Sequence, residues 1–257
     1  MGERADRPRE PLTERAAHGV LQLLVPIHHE GENVDILYRR LLAEGVGFDL
    51  LTFVHDVDED SSLPFIEMIR RTDPRVSAAK NDLGPGAVRA LAFGFSRSRP
   101  GPVVVVMGDN SDKVSLIPAM IRLWKEGATV VVPSRYMPGG RQHGGPWLKS
   151  RLSRWAGRSL AIVGFPTCDP TNNFKLYDGE WLRQQRIESD GGFEVALELC
   201  YKAFVQGERI VEIPTDWWDR TRGQSRFRML AWLPRYLRWY LRSLVALFGR
   251  RSRVPGS

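Results

Sequence analysis

The chain has 257 residues and a formal net charge of +7. Its 42% hydrophobic and 26% charged residues exclude a disordered or fibrous chain, and its length suits one large domain or two small ones. Two cysteines, Cys168 and Cys200, are too few for a disulfide framework or a multi-cysteine zinc site, and they suggest a reducing compartment.

The charge is unevenly placed. Residues 219–257 hold ten Arg and one Asp, a balance of +9, so the preceding 218 residues carry −2. The basic character belongs to the tail, which suits an acidic membrane better than it marks a nucleic-acid-binding body. No apolar run approaches the roughly 20 residues needed to span a bilayer. Residues 1–18 are charged and lack a signal-peptide core, so residues 1–19 read as a flexible leader.

In chain order, residues 20–27 form a short apolar run that predicts a buried strand. Residues 32–42 carry apolar side chains at helical spacing. A second strand is expected at 50–54, a helix at 63–69 and a short strand at 76–79. Residues 87–95 predict a helix entered from Gly84-Pro85-Gly86. The four valines within 102–107 mark the clearest buried strand, followed by a helix at 115–125 and a strand at 128–132. Alternating strand and helix predicts an α/β fold with a mostly parallel sheet and helices on both faces. The second half is less regular. Helices are expected at 147–163 and 193–205, and a strand at 209–214.

Two acidic clusters follow strands directly: His55-Asp56-Val57-Asp58-Glu59-Asp60 and Gly108-Asp109-Asn110-Ser111-Asp112. Open α/β sheets bind ligands outside the carboxyl ends of their strands. Hard carboxylate oxygens there suit Mg²⁺ or Mn²⁺ with a substrate diphosphate, although such acids can also be solvated loop residues. No Walker A sequence occurs, and no G-x-G-x-x-G follows a strand, which counts against kinase and dinucleotide-oxidoreductase readings.

Several segments resemble family 2 glycosyltransferases. Pro26-Ile27-His28-His29-Glu30-Gly31-Glu32-Asn33 is similar to the family's P-x-Y-N-E-x-E-N opening, and Val54-His55-Asp56 to its V-D-D strand end. Gly84-Pro85-Gly86-Ala87-Val88-Arg89 resembles G-x-G-x-A-x-R, and Ser134-Arg135-Tyr136-Met137-Pro138-Gly139-Gly140 resembles S-R-Y-x-x-G-G. Asp169-Pro170-Thr171-Asn172-Asn173-Phe174-Lys175 resembles D-P-T-S-G-F-R, and residues 219–226 resemble the late R-x-x-G-x-S-K segment. The segments keep family order over about residues 20–228. They point to the branch that makes dolichyl- or polyprenyl-phosphate sugars.

The resemblance implies a GT-A fold, which is Rossmann-like, and a divalent metal, Mg²⁺ or Mn²⁺. It also implies inverting transfer of a mannose- or glucose-type sugar from a nucleotide-diphosphate donor to a lipid phosphate. Pro26, Glu30 and Asp56 would line the nucleotide pocket, with carboxylates accepting hydrogen bonds from base or ribose. The family's D-x-D is altered, because alignment places Met107 at the first Asp and Asp109 at the second. Asp109 would hold the metal, with Asp112 as a second contact. Arg135 would bind the acceptor phosphate. Lys149 and Ser153, four apart on one helix face, would complete that site, although Lys149 also reads as a solvated charge. Arg220 and Arg226 would close over the diphosphate. His28 and His29, which replace the family's Tyr and Asn, read as pocket residues.

The implied division is a leader over 1–19, a GT-A domain over 20–228, and a basic amphipathic helix and tail over 229–257. In that helix Arg235, Arg238 and Arg242 form one stripe, and Leu237, Tyr240, Leu241, Leu244 and Phe248 another. Such a helix either lies in the headgroup plane or docks on the protein's own core. The first option makes this a cytoplasmic enzyme held peripherally at the inner membrane face. Two other readings stay open: transfer to a soluble or polysaccharide acceptor, and a metal-poor, inactive homologue serving as a membrane-bound partner.

Overall fold

The valine run of residues 103–106 is buried on both sides, and this places it at the middle of the sheet. A strand covered on both faces must be apolar at every position, whereas a half-covered strand alternates. The computed structural model describes residues 19–145, 147–219 and 229–251. Residues 1–18 of the expected leader, together with Arg220 and Arg226, lie outside the described residues, as do the side chains of Lys149 and Trp232.

The strands are β1 (Gln22–Pro26), β2 (Leu50–His55), β3 (Val76–Lys80), β4 (Pro102–Val105), β5 (Val130–Ser134), β6 (Arg141–His143), β7 (Lys175–Asp178), β8 (Ile210–Pro214) and β9 (Asp216–Trp218). The helices are α1 (Asn33–Ala43), α2 (Leu63–Thr72), α3 (Ala87–Ser96), α4 (Ile117–Lys125), α5 (Trp147–Ile162), α6 (Gly179–Arg183), α7 (Val195–Gln206) and α8 (Met229–Arg251). Seven strands form one sheet in the order β3-β2-β1-β4-β7-β5-β8, and β6 pairs with β9 beside it. Every neighbour pair in the large sheet is parallel except those made by β7, which runs antiparallel between β4 and β5.

Successive strand residues serve opposite cores. Leu23, Val25 and Val104 pack with Leu37, Ile66 and Trp124 from α1, α2 and α4. Leu24, Val103 and Val105 pack on the other face with Leu91, Leu160, Leu199 and Trp239 from α3, α5, α7 and α8. The expected sheet and its two helical layers are present. The strand expected at 102–107 stops at Val105, where the chain turns into the acidic loop.

Of the two readings of α8, its arginines follow the docked one. That stripe does not face outward to lipid but clasps the loop at 188–190. Arg235 Nε lies 2.9 Å from Asp190 Oδ1, while Arg238 and Arg242 reach Glu188 Oε2 at 3.2 and 2.9 Å. Trp239, 1% exposed, donates its indole N–H to Ser189 Oγ and packs on Tyr201. The helix is therefore docked on the protein, with Tyr240 and Leu244 of its apolar stripe packed on the core and Leu237, Leu241 and Phe248 left outward.

Candidate active site

The acidic loop after β4 is fixed from several sides. Arg40 of α1 donates to the carbonyls of Asn110 and Asp112, and Asn110 donates to the carbonyl of Asn33. Asp109 Oδ1 accepts from the backbone N–H and the hydroxyl of Ser111. Asp112 Oδ2 accepts from the Met107 N–H, while its Oδ1 is buried with no hydrogen-bond partner. Burial, reinforced by the charge of Asp109, pushes the Asp112 carboxyl up to about 7. Among the described residues no group of three or more His, Cys, Asp or Glu could hold a metal alone. Two hard carboxylates, one with an unpartnered buried oxygen, still fit Mg²⁺ or Mn²⁺, because such ions complete their shell with substrate phosphates and water.

The neighbouring strand ends carry the expected nucleotide residues. Pro26 ends β1, and Asp56 lies one residue past β2. Asp56 accepts from Asn81 Nδ2 at 2.9 Å and from the Gly86 N–H at 2.8 Å, which ties it to the turn that starts α3. Gly86 has φ +119°, a backbone conformation that side-chain-bearing residues rarely adopt. Glu30 stands against Gly108, so close that a Cβ on that glycine would lie 3.2 Å from Glu30 Cγ. This brings Glu30 beside the acidic loop. His29 N–H donates to Asp60 rather than outward, and His28 Nδ1 lies 4.0 Å from Asp56.

Arg135 follows β5 and is not a free cation. Its Nε and Nη2 lie 2.7 and 2.8 Å from the two oxygens of buried Asp169, and its backbone N–H also donates to Asp169. Burial alone would raise the Asp169 carboxyl, but the charge and hydrogen bonds of Arg135 outweigh it and hold that carboxyl down. Nη1 of Arg135 makes no hydrogen bond to the described residues. Ser153 of α5 meets Thr171 hydroxyl to hydroxyl at 2.7 Å, and Thr171 lies 3.5 Å from Arg135 Nη2. Arg135 and Ser153 are thus brought together through Thr171.

Lys175 organises this loop from beneath. Its buried ammonium donates to the carbonyls of Asp169, Pro170 and Asn172, and burial pushes its pKa down. α5 sits tightly on the same loop, because a Cβ at Gly157 would collide with the carbonyl of Cys168.

These elements enclose a cavity of about 300 Å³. Its lining joins Asp109, buried Asp112, Arg135 and Thr171 to Leu160 and to the exposed Leu152, Trp155, Leu233 and Leu237 of α5 and α8. Pro26, Glu30 and Asp56 are not in its lining, whereas Asp109, Asp112, Arg135 and Ser153 are.

No family model matches the chain. It is 26% identical over 233 residues to the polyprenol monophosphomannose synthase of Mycolicibacterium smegmatis, covering 88% of this chain and 87% of that one. It is 27% identical over 214 residues to the undecaprenyl-phosphate mannosyltransferase of Micrococcus luteus, covering 79% and 85%. It is 24% identical over 243 residues to the dolichol-phosphate mannosyltransferase of Pyrococcus furiosus, covering 85% of this chain and 64% of that longer relative. The fold matches glucosyl-3-phosphoglycerate synthase of Mycobacterium tuberculosis, solved with Mn²⁺, UDP and glucosyl-3-phosphoglycerate. The TM-score is 0.63 at 16% identity, over all of this chain and 88% of that one.

The chain is a family 2 glycosyltransferase-like enzyme. It has the GT-A fold and is related to the polyprenol- and dolichol-phosphate mannose synthases. In this glycosyltransferase, motif reading missed the groups that hold the site residues. Asp169 was visible only as part of a motif, with nothing to mark it as the partner of Arg135. Arg40 gave no signal, since an arginine on a helix ordinarily reads as a surface charge.

Proposed function

We propose that the enzyme transfers a mannose- or glucose-type sugar from a nucleotide-diphosphate donor to a polyprenyl or dolichyl phosphate, with inversion. The observation that carries this is the cavity. Its lining passes from carboxylates and an arginine, with Asp112 and Arg135 largely buried, to the apolar side chains of Leu160 and of the exposed Trp155 and Leu237. Such a gradient suits a molecule with an anionic head and a long apolar tail. The polyprenyl-phosphate mannose synthases among the curated relatives support the same substrate class.

In this reading Pro26, Glu30 and Asp56 hold the nucleoside, and Asp109 with Asp112 holds the divalent ion. The ion, when bound, neutralises charge on the leaving diphosphate. Arg220 and Arg226 add cations to the same phosphates. A lipid phosphate is anionic near neutral pH, so the site has no need of a strong general base. An acceptor phosphate oxygen attacks the anomeric carbon as the bond from that carbon to the diphosphate oxygen breaks, and the diphosphate leaves with the electron pair. Arg135, steadied by Asp169, Lys149 and Ser153 hold the acceptor phosphate in line, where positioning supplies most of the rate. The enzyme works peripherally at the cytoplasmic membrane face. Among the described residues no helix is long and apolar enough to cross a bilayer.

The test is transfer of radiolabelled mannose or glucose from GDP- and UDP-sugars to polyprenyl phosphate with Mn²⁺. Label in the organic phase supports the reading. Label only in water points to a soluble acceptor, and no turnover with any donor points to the inactive homologue suggested by Met107.

A further inference from the structure

One arc of α5 is left uncovered by the rest of the described molecule. Trp147, Arg151, Arg154, Trp155, Arg158 and Ile162 recur at intervals of three and four, within roughly 100° of the helix circumference. All six are exposed. Trp147 is 69%, Trp155 67% and Ile162 82% exposed, so large apolar side chains stand in solvent between the arginines. Arg151, Arg154 and Arg158 form no ion pair with the described residues, although Arg158 donates to the Tyr136 carbonyl and Arg154 lies over the Tyr136 ring. The helix carries four basic residues and no acid.

α8 continues this surface. Leu233, Leu237, Leu241, Val245 and Phe248 are exposed and follow one another at intervals of four and three. Tyr240 joins the two helices: its ring stacks with Trp155 at 6.5 Å, and its hydroxyl lies 2.8 Å from Ser159 Oγ. The mouth of the cavity opens between the stripes, since Leu152, Trp155, Leu233 and Leu237 are both exposed and part of its lining.

We propose that this composite face seats on an anionic bilayer, with α5 supplying the electrostatic attraction and α8 the apolar contact. The proposal deepens the lipid-phosphate reading above and rests on it. Charge complementarity selects the occupant. Three unpaired arginines need anionic groups spread over a plane, and tryptophans beside them match the boundary between headgroups and chains. The arginines of α8 already hold Glu188 and Asp190, so they contribute little to that attraction. A lipid in the seated leaflet would reach the cavity without crossing water.

The experiment is flotation of the full chain with vesicles of phosphatidylcholine alone or with 30% phosphatidylglycerol, without sugar substrates. Arg151→Gln/Arg154→Gln/Arg158→Gln should cut partitioning to the anionic vesicles by roughly a hundredfold. Arg238→Gln/Arg242→Gln should stay within about twofold of the wild type, because those side chains face the protein. Circular dichroism checks folding, and Arg151→Gln alone, which disturbs no described contact, should still lower partitioning about fivefold. Unchanged partitioning of a folded α5 variant overturns the proposal, as does an equal loss in the α8 variant. A lipid-free dimer that Ile162→Glu dissociates would assign the face to a second copy and overturn it too. A wild type that binds vesicles yet transfers no sugar defeats the functional reading and leaves this surface standing. Transfer to a short-chain lipid phosphate without vesicle binding does the reverse.

Discussion

Arg135 and Asp169 form a two-point ion pair, with Nε to Oδ2 at 2.7 Å and Nη2 to Oδ1 at 2.8 Å, on side chains 11% and 0% exposed. The fork of the guanidinium matches both carboxylate oxygens, and the pair fixes β5 to the loop that enters β7. Removing one partner strands a buried charge. Asp169→Asn should therefore cost about 3–5 kcal/mol of unfolding free energy, read by urea denaturation. Arg135→Lys keeps the charge but loses the fork. It should raise the apparent KM for polyprenyl phosphate at least about tenfold, which corresponds to about 1.4 kcal/mol. GDP or UDP affinity by calorimetry should hold. A fall in nucleotide affinity instead would move Arg135 to the donor side.

Asp109 stands alone where the family pattern has two acids. Asp109→Asn should lower kcat by about a hundredfold or more, in line with losing one electrostatic contact to a leaving group. The loop should stay folded, because Arg40 and Asn33 hold it independently. The checks are single-turnover transfer with Mn²⁺ and a thermal melt of the variant. Near-normal transfer would shift the metal to Asp112.

Trp239 anchors α8. Trp239→Ala removes a fully buried indole and its bond to Ser189, at a cost of about 3–5 kcal/mol. If α8 is an independently fraying element, the loss appears as a separate early step in amide hydrogen exchange, confined to 229–251 and the loop at 188–190. A uniform loss across the sheet would instead make α8 part of the global fold.

Asp73 carries a pH dependence. The side-chain hydrogen bond from Arg75 outweighs burial and holds its carboxyl at about 2, below its ordinary 3.8. The folded form thus binds a proton less readily than the unfolded one. The resulting stability is fully present above about pH 4 and disappears as pH falls toward 2. Arg75 is half exposed, so solvent screening limits the contribution to about 1 kcal/mol. Asp73→Asn should flatten the fall in urea midpoint between pH 4 and 2.5 while leaving the slope above pH 5 unchanged.

The sheet's centre was legible because β1 and β4 are buried on both faces and are apolar apart from Gln22, whose amide is satisfied by the Arg99 backbone. β7 was not. Its four residues, Lys-Leu-Tyr-Asp, begin and end on charges, and those charges work locally, Lys175 on loop carbonyls and Asp178 on the first turn of α6. β6 and β9, Arg-Gln-His and Asp-Trp-Trp, are three residues each, too short for any alternation to register. For the site, the short motifs around Asp56, Asp109 and Arg135 were readable because each is contiguous. The long-range contacts that hold them join residues 25 to 77 positions apart, which no local pattern encodes. On α8 the periodicity revealed two stripes but not that acids at 188 and 190 would claim the basic one.

The direction of β7 has a consequence for how such an enzyme can change. The other strands of the large sheet deliver residues to the reactive edge as they end, but β7 starts there, opposite the last residue of β4. The stretch leading into it, from Asp169 to Asn173, arrives at that edge from the opposite side of the chain's path. In the reading proposed above, Pro26, Glu30 and Asp56 on the donor side lie where parallel strands end, while Thr171, beside Arg135 and Ser153, belongs to this entering stretch. On that reading, substitutions in the entering segment retune which acceptor is chosen while the donor residues are inherited unaltered, so a single scaffold diversifies its products one connection at a time.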